Sequence, residues 1–144
     1  MKNGVQLAII IALVIVLGTI CANANSDEKI VEELICARTD ALGLYYAGQA
    51  RKDETIEAIN KCTMSYLRDS DLANIDRYFQ SDVDQLIDYK ITDIKVKEAQ
   101  DEFIIATATI NWQSKTLKGE ENFTHTYSII CEKEKNLYKL SQFF

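Results

Sequence analysis

The hydrophobic period of this chain changes once, at Tyr89, and that change restricts the architecture more than any other feature. Before it, apolar residues recur every three or four positions, the spacing of helices that bury one face. After it they alternate, the spacing of half-buried strands. Val31, Leu34, Ile35, Leu42, Tyr45 and Tyr46 define a helix running to about Ala47, with Asn25, Ser26, Asp27 and Glu28 placed to cap and charge its N-terminus. Gly48 to Lys52 reads as a turn, and Asp53 caps a second helix whose stripe is Ala58, Ile59, Cys62, Tyr66 and Leu67. Arg68-Asp69-Ser70-Asp71 breaks that helix, and Leu72, Ile75, Phe79, Val83 and Leu86 define a third, interrupted near Ser81-Asp82.

Beyond Tyr89, Ile94 and Val96 oppose Lys95 and Lys97, and Gln100-Asp101-Glu102 turns the chain. Phe103 to Trp112 is the clearest strand, with Ala106, Ala108, Ile110 and Trp112 on one face. Ser114 to Glu121 is polar and is expected as an exposed hairpin loop. Phe123, His125, Tyr127, Ile129 and Cys131 share one side of the next strand; Glu132 to Asn136 turns, and Leu137 to Phe144 closes the chain. Helices followed by a meander predict an α+β domain, with N-terminal helices packed on one face of a curved antiparallel sheet of about four strands. We expect one domain over residues 25–144, with a helical hairpin at 25–69 and a β-meander at 90–144.

The first 24 residues have a different composition. Lys2 precedes Leu7 to Leu17, an unbroken run of eleven apolar residues, and Ala22-Asn23-Ala24 supplies small residues for a signal peptidase. We expect a signal peptide at 1–24, cleavage before Asn25, and a secreted or periplasmic domain. The alternative is a retained anchor, since Val5 to Ala22 spans eighteen residues and just reaches membrane-crossing length. Lipidation at Cys21 is disfavoured because Ile20 precedes it where a small residue is needed. A pilin-like start processed after Gly4 lacks the glutamate expected five residues beyond cleavage.

Charge excludes further classes. The whole chain carries −6, and without its first 24 residues and their single Lys2 the balance is 15 basic against 22 acidic groups, or −7. Such a domain repels phosphate backbones, so no nucleic-acid partner is expected, and a membrane is a partner only if residues 5–22 are retained. Five glycines and no proline leave no Gly-rich phosphate loop.

At Met64-Ser65-Tyr66-Leu67-Arg68-Asp69-Ser70-Asp71-Leu72-Ala73-Asn74-Ile75-Asp76-Arg77-Tyr78-Phe79 the chain resembles small extracytoplasmic members of the nuclear transport factor 2-like superfamily. There a helix ends in a polar, Asp-containing break and the next finishes near an aromatic residue. Phe103 to Phe144 is similar to that family's long paired strands, closed by a short strand, here Leu137-Tyr138-Lys139-Leu140. The resemblance spans roughly residues 53–144 and implies a conical pocket between sheet and helices. It implies little about function.

His125 is the single histidine and, with Tyr127 and Trp112, is the ligand-binding candidate on the core-directed face. The competing expectation is a half-buried strand histidine among ordinary core aromatics. Enzymes of the resembled family pair a pocket acid or base with an aspartate or second histidine, and no inward carboxylate is assigned on this sheet. Asp69, Asp71, Asp76, Asp82, Asp84 and Asp88 read as a solvated helix face with capping aspartates. Asp82-Val83-Asp84 begins like a calcium loop but has Ile87 at the turn-glycine position. Cys36, Cys62, Cys131 and His125 are isolated, so neither a metal nor a cofactor is expected. Cys36 and Cys62 flank the turn symmetrically and are disulfide candidates, leaving Cys131 as the buried free thiol. The alternative pairs an exposed Cys36 with a second chain in a covalent homodimer. Asn122-Phe123-Thr124 matches a glycosylation sequon, relevant to a eukaryotic source. These features favour a non-catalytic binding or assembly module for a protein or small apolar ligand. The rivals are a pocket protein or enzyme using His125 and a membrane-anchored component of a surface or secretion apparatus.

Overall fold

The computed structural model describes residues 26–78 and 84–144. The expected signal or anchor at 1–24 and the third helix's Phe79 and Val83 lie outside the described residues. Three helices, α1 (Ser26–Tyr46), α2 (Lys52–Cys62) and α3 (Ser65–Arg77), precede four strands, β1 (Gln85–Ala99), β2 (Phe103–Thr116), β3 (Gly119–Glu134) and β4 (Leu137–Phe143). The strands form one antiparallel sheet in the order β1-β2-β3-β4, the α+β arrangement expected.

Alternation builds the sheet side of the core. Ile104, Ala106, Ala108 and Ile110 of β2 are buried, as are Ile129 and Cys131 of β3 and Leu140 of β4. Val31 and Ile35, one helical turn apart on α1, pack into the same cluster. Ala106 and Ala108 carry no bulk beyond Cβ, which leaves room for the helix to approach the middle of the sheet. A second cluster, with Tyr45, Ile59, Cys62 and Ile75 at its centre, joins the three helices to one another. At Gly43 a Cβ would lie 3.3 Å from Leu86 Cδ2, so the missing side chain lets β1 come close to α1.

Several boundaries differ from the sequence expectation. Arg68-Asp69-Ser70-Asp71 does not break a helix; it lies inside α3, and the break falls at Thr63-Met64. There the Met64 N–H donates to the Leu140 carbonyl at 2.8 Å and Thr63 forms a parallel bridge with Leu140, so pairing with the edge of β4 interrupts the helical ladder. Asp53 does not cap α2. The cap position is Arg51, whose N–H donates to Glu54 Oε2 at 3.2 Å. β1 starts five positions before Lys90, and Leu86 belongs to it rather than to a helix. The Ser114–Glu121 loop contracts to Leu117-Lys118, because Thr116 pairs with Gly119 and the polar residues on either side continue the ladder into solvent. Gly119 supplies the positive φ of 124° at this end. At the β3–β4 end Lys135 and Asn136 both have positive φ, 52° and 64°, matching the primed turn that follows strand twist.

β1 is an edge strand with three register shifts, between Leu86/Asp88, Ile91/Asp93 and Val96/Glu98. Each bulge bends and twists the strand, which curves the sheet around the helices and discourages pairing with another chain.

Candidate functional site

β2 and β3 extend beyond the area that the helices cover, and an aromatic row occupies the transition. Cross-strand register aligns Tyr89 with Trp112 and Trp112 with Phe123. Their ring centroids are 5.8 Å and 6.4 Å apart. From Trp112 the row turns inward to Tyr127 at 6.0 Å, and Tyr127 meets Phe143 of β4 at 4.5 Å. The row grades from core to solvent: Ile129 is fully buried, Tyr127 half-buried, and Phe123 is 49% exposed. An open cleft of about 440 Å³ is lined mainly by Asp88, Lys90, Asn111, Gln113, Asn122 and Thr124, which alternate with the aromatic row and so occupy the other face of the sheet. Thr124 Oγ1 donates to Asn111 Oδ1 at 2.8 Å on the cleft wall.

His125 shares the face of Tyr127 and Ile129 but is exposed, which corrects its expected half-burial. Alternation correctly set its direction; the reach of the helices decides burial, and they stop short of it. Its ring lies 4.6 Å from that of Tyr127 in an edge contact. Trp112 also lines a small cavity under α1 whose walls include neither His125 nor Tyr127. Burial raises the Tyr127 hydroxyl; the Trp112 N–H opposes that rise without closing a hydrogen bond of acceptable geometry.

The sequence reading missed a charge pair behind this row. Asp71 on α3, 3% exposed, accepts two hydrogen bonds from Arg38 on α1, Nε at 2.7 Å and Nη2 at 2.6 Å. The Arg38 guanidinium also lies 5.0 Å from the Phe143 ring centroid. Asp71 is therefore not part of a solvated acidic face. Its partner is 33 positions away, so no local pattern marks either residue. On the opposite side of α1 the Tyr89 hydroxyl donates to Asp40 Oδ1 at 2.8 Å, and burial together with the neighbouring Cys36 and Asp40 raises it well above the usual tyrosine range.

Cys36, Cys62 and Cys131 are all free thiols, and the candidate Cys36–Cys62 bridge is not formed. Cys36 sits half-buried against Tyr89 of β1, while Cys62 lies in the interhelical cluster. An exposed Cys36 was the premise of the covalent-homodimer alternative, but α1 is flanked by β1 on that side as well as by helices on the other. Burial raises the Cys62 thiol to about 11 and the Cys131 thiol to about 12. Raised native values mean that both thiols stay protonated in the fold after the unfolded chain has begun to ionise. The stabilisation is fully present below about pH 9 and is lost as pH rises towards 11–12. We expect the folded-to-unfolded ratio to fall roughly tenfold per pH unit per thiol in that window, with Cys131→Ala removing one thiol's share; urea titrations at pH 8, 9 and 10 check this. A slope unchanged by Cys131→Ala would refute it.

Among the described residues no three His, Cys, Asp or Glu side chains cluster as a metal site would require, and no helix is long and apolar enough to cross a membrane.

Together these features define a helix-covered, four-stranded α+β domain with an open aromatic end. No protein-family model matches the sequence, and no curated protein matches it. Among solved structures, the chain is similar to the intermembrane space region of the chloroplast protein ARC6. The two share 13% sequence identity with a TM-score of 0.52, over 84% of this chain and 97% of that one. At this identity the likeness establishes a common fold.

Proposed function

We propose that this chain is an exported, non-catalytic binding or assembly module that engages a protein partner through the open aromatic end of its sheet. The observation that carries this reading is the row Tyr89–Trp112–Phe123, anchored inward on Tyr127 and ending half-exposed at Phe123. Large aromatics that are held by packing on one side and open on the other lose little freedom when a partner covers them, and interfaces are enriched in them. Export rests on the apolar run Leu7 to Leu17 followed by Ala22-Asn23-Ala24. The likeness to an intermembrane-space region is in keeping with export, as is the nuclear transport factor 2-like resemblance that we carry into this proposal.

A photo-crosslinking amino acid at position 123, introduced in the native host, tests the surface. We expect one discrete crosslinked protein from position 123 and none from position 57, on the exposed face of α2. Phe123→Ala should weaken that partner at least tenfold with the fold intact. No adduct at 123, or the same adduct at both positions, would sink the proposal. Intact mass in the same host tests export separately. A chain beginning at Asn25 supports cleavage, whereas an uncut N-terminus in the membrane fraction replaces it with an anchored module.

A further inference from the structure

The two outer strands of the sheet are protected, but a stretch of β3 is not. β1 carries three bulges and the lysines Lys90, Lys95 and Lys97, devices by which edge strands resist pairing. The outer edge of β4 is engaged at Leu140 by Thr63 and Met64. β4, however, pairs with β3 only over Ile129 to Glu134, and Phe144 extends the ladder to Ser128. Gly119 to Tyr127 therefore have β2 on one side and, among the described residues, no strand on the other. Ser128 exchanges both its backbone hydrogen bonds with Phe144, at 2.7 Å and 3.2 Å. Backbone groups alternate in direction along a strand, and β3 runs against β2 without a register shift. The N–H and C=O groups of Glu120, Asn122, Thr124 and Thr126 thus point to the open edge. The stretch has no lysine, proline or bulge, and every residue from Gly119 to Thr126 is exposed.

We propose that this edge pairs with the same edge of a second copy, antiparallel about Phe123, joining two four-stranded sheets into one. The inference rests on the partner surface proposed above and names its occupant. The edge is complementary to itself. With the two copies of Phe123 opposite each other, Glu121 faces His125, Glu120 faces Thr126 and Asn122 faces Thr124. Each carboxylate then meets a histidine or a hydroxyl and never another carboxylate. Sliding the register by two residues loses this match. One direction sets Glu121 against Phe123; the other sets Glu120 against Ser128, whose backbone groups Phe144 already holds. Phe123, 49% exposed, falls in the closer, non-hydrogen-bonded kind of pair, so the two rings cover each other. The contact is short, Glu120 to Thr126, so the dimer is weak and forms as concentration rises.

Analytical ultracentrifugation of the protein purified from its native host, over about 5 to 300 μM, reads the association. We expect one chain mass at the lower end and twice that mass at the upper. Thr124→Pro removes an N–H that points outward, so it should abolish association while urea unfolding stays cooperative. His125→Glu sets carboxylates opposite each other at both ends of the contact and should weaken association roughly tenfold. Adding Glu121→His should restore it, and this pair carries the test if Thr124→Pro does not fold. Phe123→Cys should oxidise to a disulfide-linked dimer, whereas Glu121→Cys should not, because position 121 lies opposite 125 and not opposite itself. A chain that stays monomeric throughout, with another protein captured from position 123, overturns the second copy and leaves the aromatic surface standing. Association that survives both Thr124→Pro and His125→Glu overturns the β3 edge. No adduct of any kind at position 123 overturns the surface and this inference with it.

Discussion

Replacing Asp71 with alanine is expected to lower the unfolding free energy by about 3–5 kcal/mol. The reason lies in what is left behind. Asp71 is 3% exposed and holds Arg38 through two short hydrogen bonds, so its removal leaves a guanidinium that is only 17% exposed without its carboxylate. The midpoint of thermal unfolding should fall on the order of 10–20 °C. Removing both partners is a different matter. Arg38→Met with Asp71→Leu takes away both charges and keeps the volume, and should recover most of the loss. Trp112 fluorescence during urea unfolding follows all three variants. If Asp71→Ala costs less than about 1 kcal/mol, the pair is behaving as an exposed one, and its role in joining α1 to α3 is wrong.

The second large effect is expected at Ile35. It is fully buried where α1 meets the sheet, in the cluster with Ala106, Ala108 and Ile110. Ile35→Ala removes several carbons and opens a cavity against a sheet that cannot collapse to fill it, a loss of about 3 kcal/mol. Leu117, in the hairpin turn between β2 and β3, is equally apolar and wholly exposed. Leu117→Ala should change stability by less than about 0.5 kcal/mol. The pair of measurements, by the same urea titration, isolates burial from residue type. Equal losses at the two positions would mean that α1 does not pack on the sheet as described.

The change of period at Tyr89 carried the fold class because backbone geometry imposes it locally: 3.6 residues per turn before, two per repeat after. The faces of β2 and β3 were readable for the same reason, and Ile104, Ala106, Ala108, Ile110, Ile129 and Cys131 are buried as alternation requires. Helix ends were less readable. Thr63-Met64 stops α2 through a hydrogen bond to Leu140, about 77 positions later, while the polar run Arg68 to Asp71, which looks like a break, remains helical because α3 buries Asp71 against Arg38.

The candidate site divides along the same line. Trp112, His125 and Tyr127 were placed on the correct face, since a strand's side chains alternate regardless of what covers them. Which of them would be covered depends on where α1 lies and how far β2 and β3 run past it, and that left His125 in solvent. Thr39 is polar yet buried; Cys36, exposed in the covalent-homodimer alternative, leans on Tyr89. A helical wheel assumes one wet side, whereas α1 has neighbours on two.

By itself, then, the sequence determined the order and kind of the elements, the sheet's inward faces and the acidic balance, because each is a property of nearby residues or of their sum. Only the tertiary structure decided the Arg38–Asp71 pair, the burial of Thr39 and the solvent exposure of His125. Those depend on distances between residues far apart in the chain, and hydrophobic burial, being non-directional, writes no local mark of which partner will arrive.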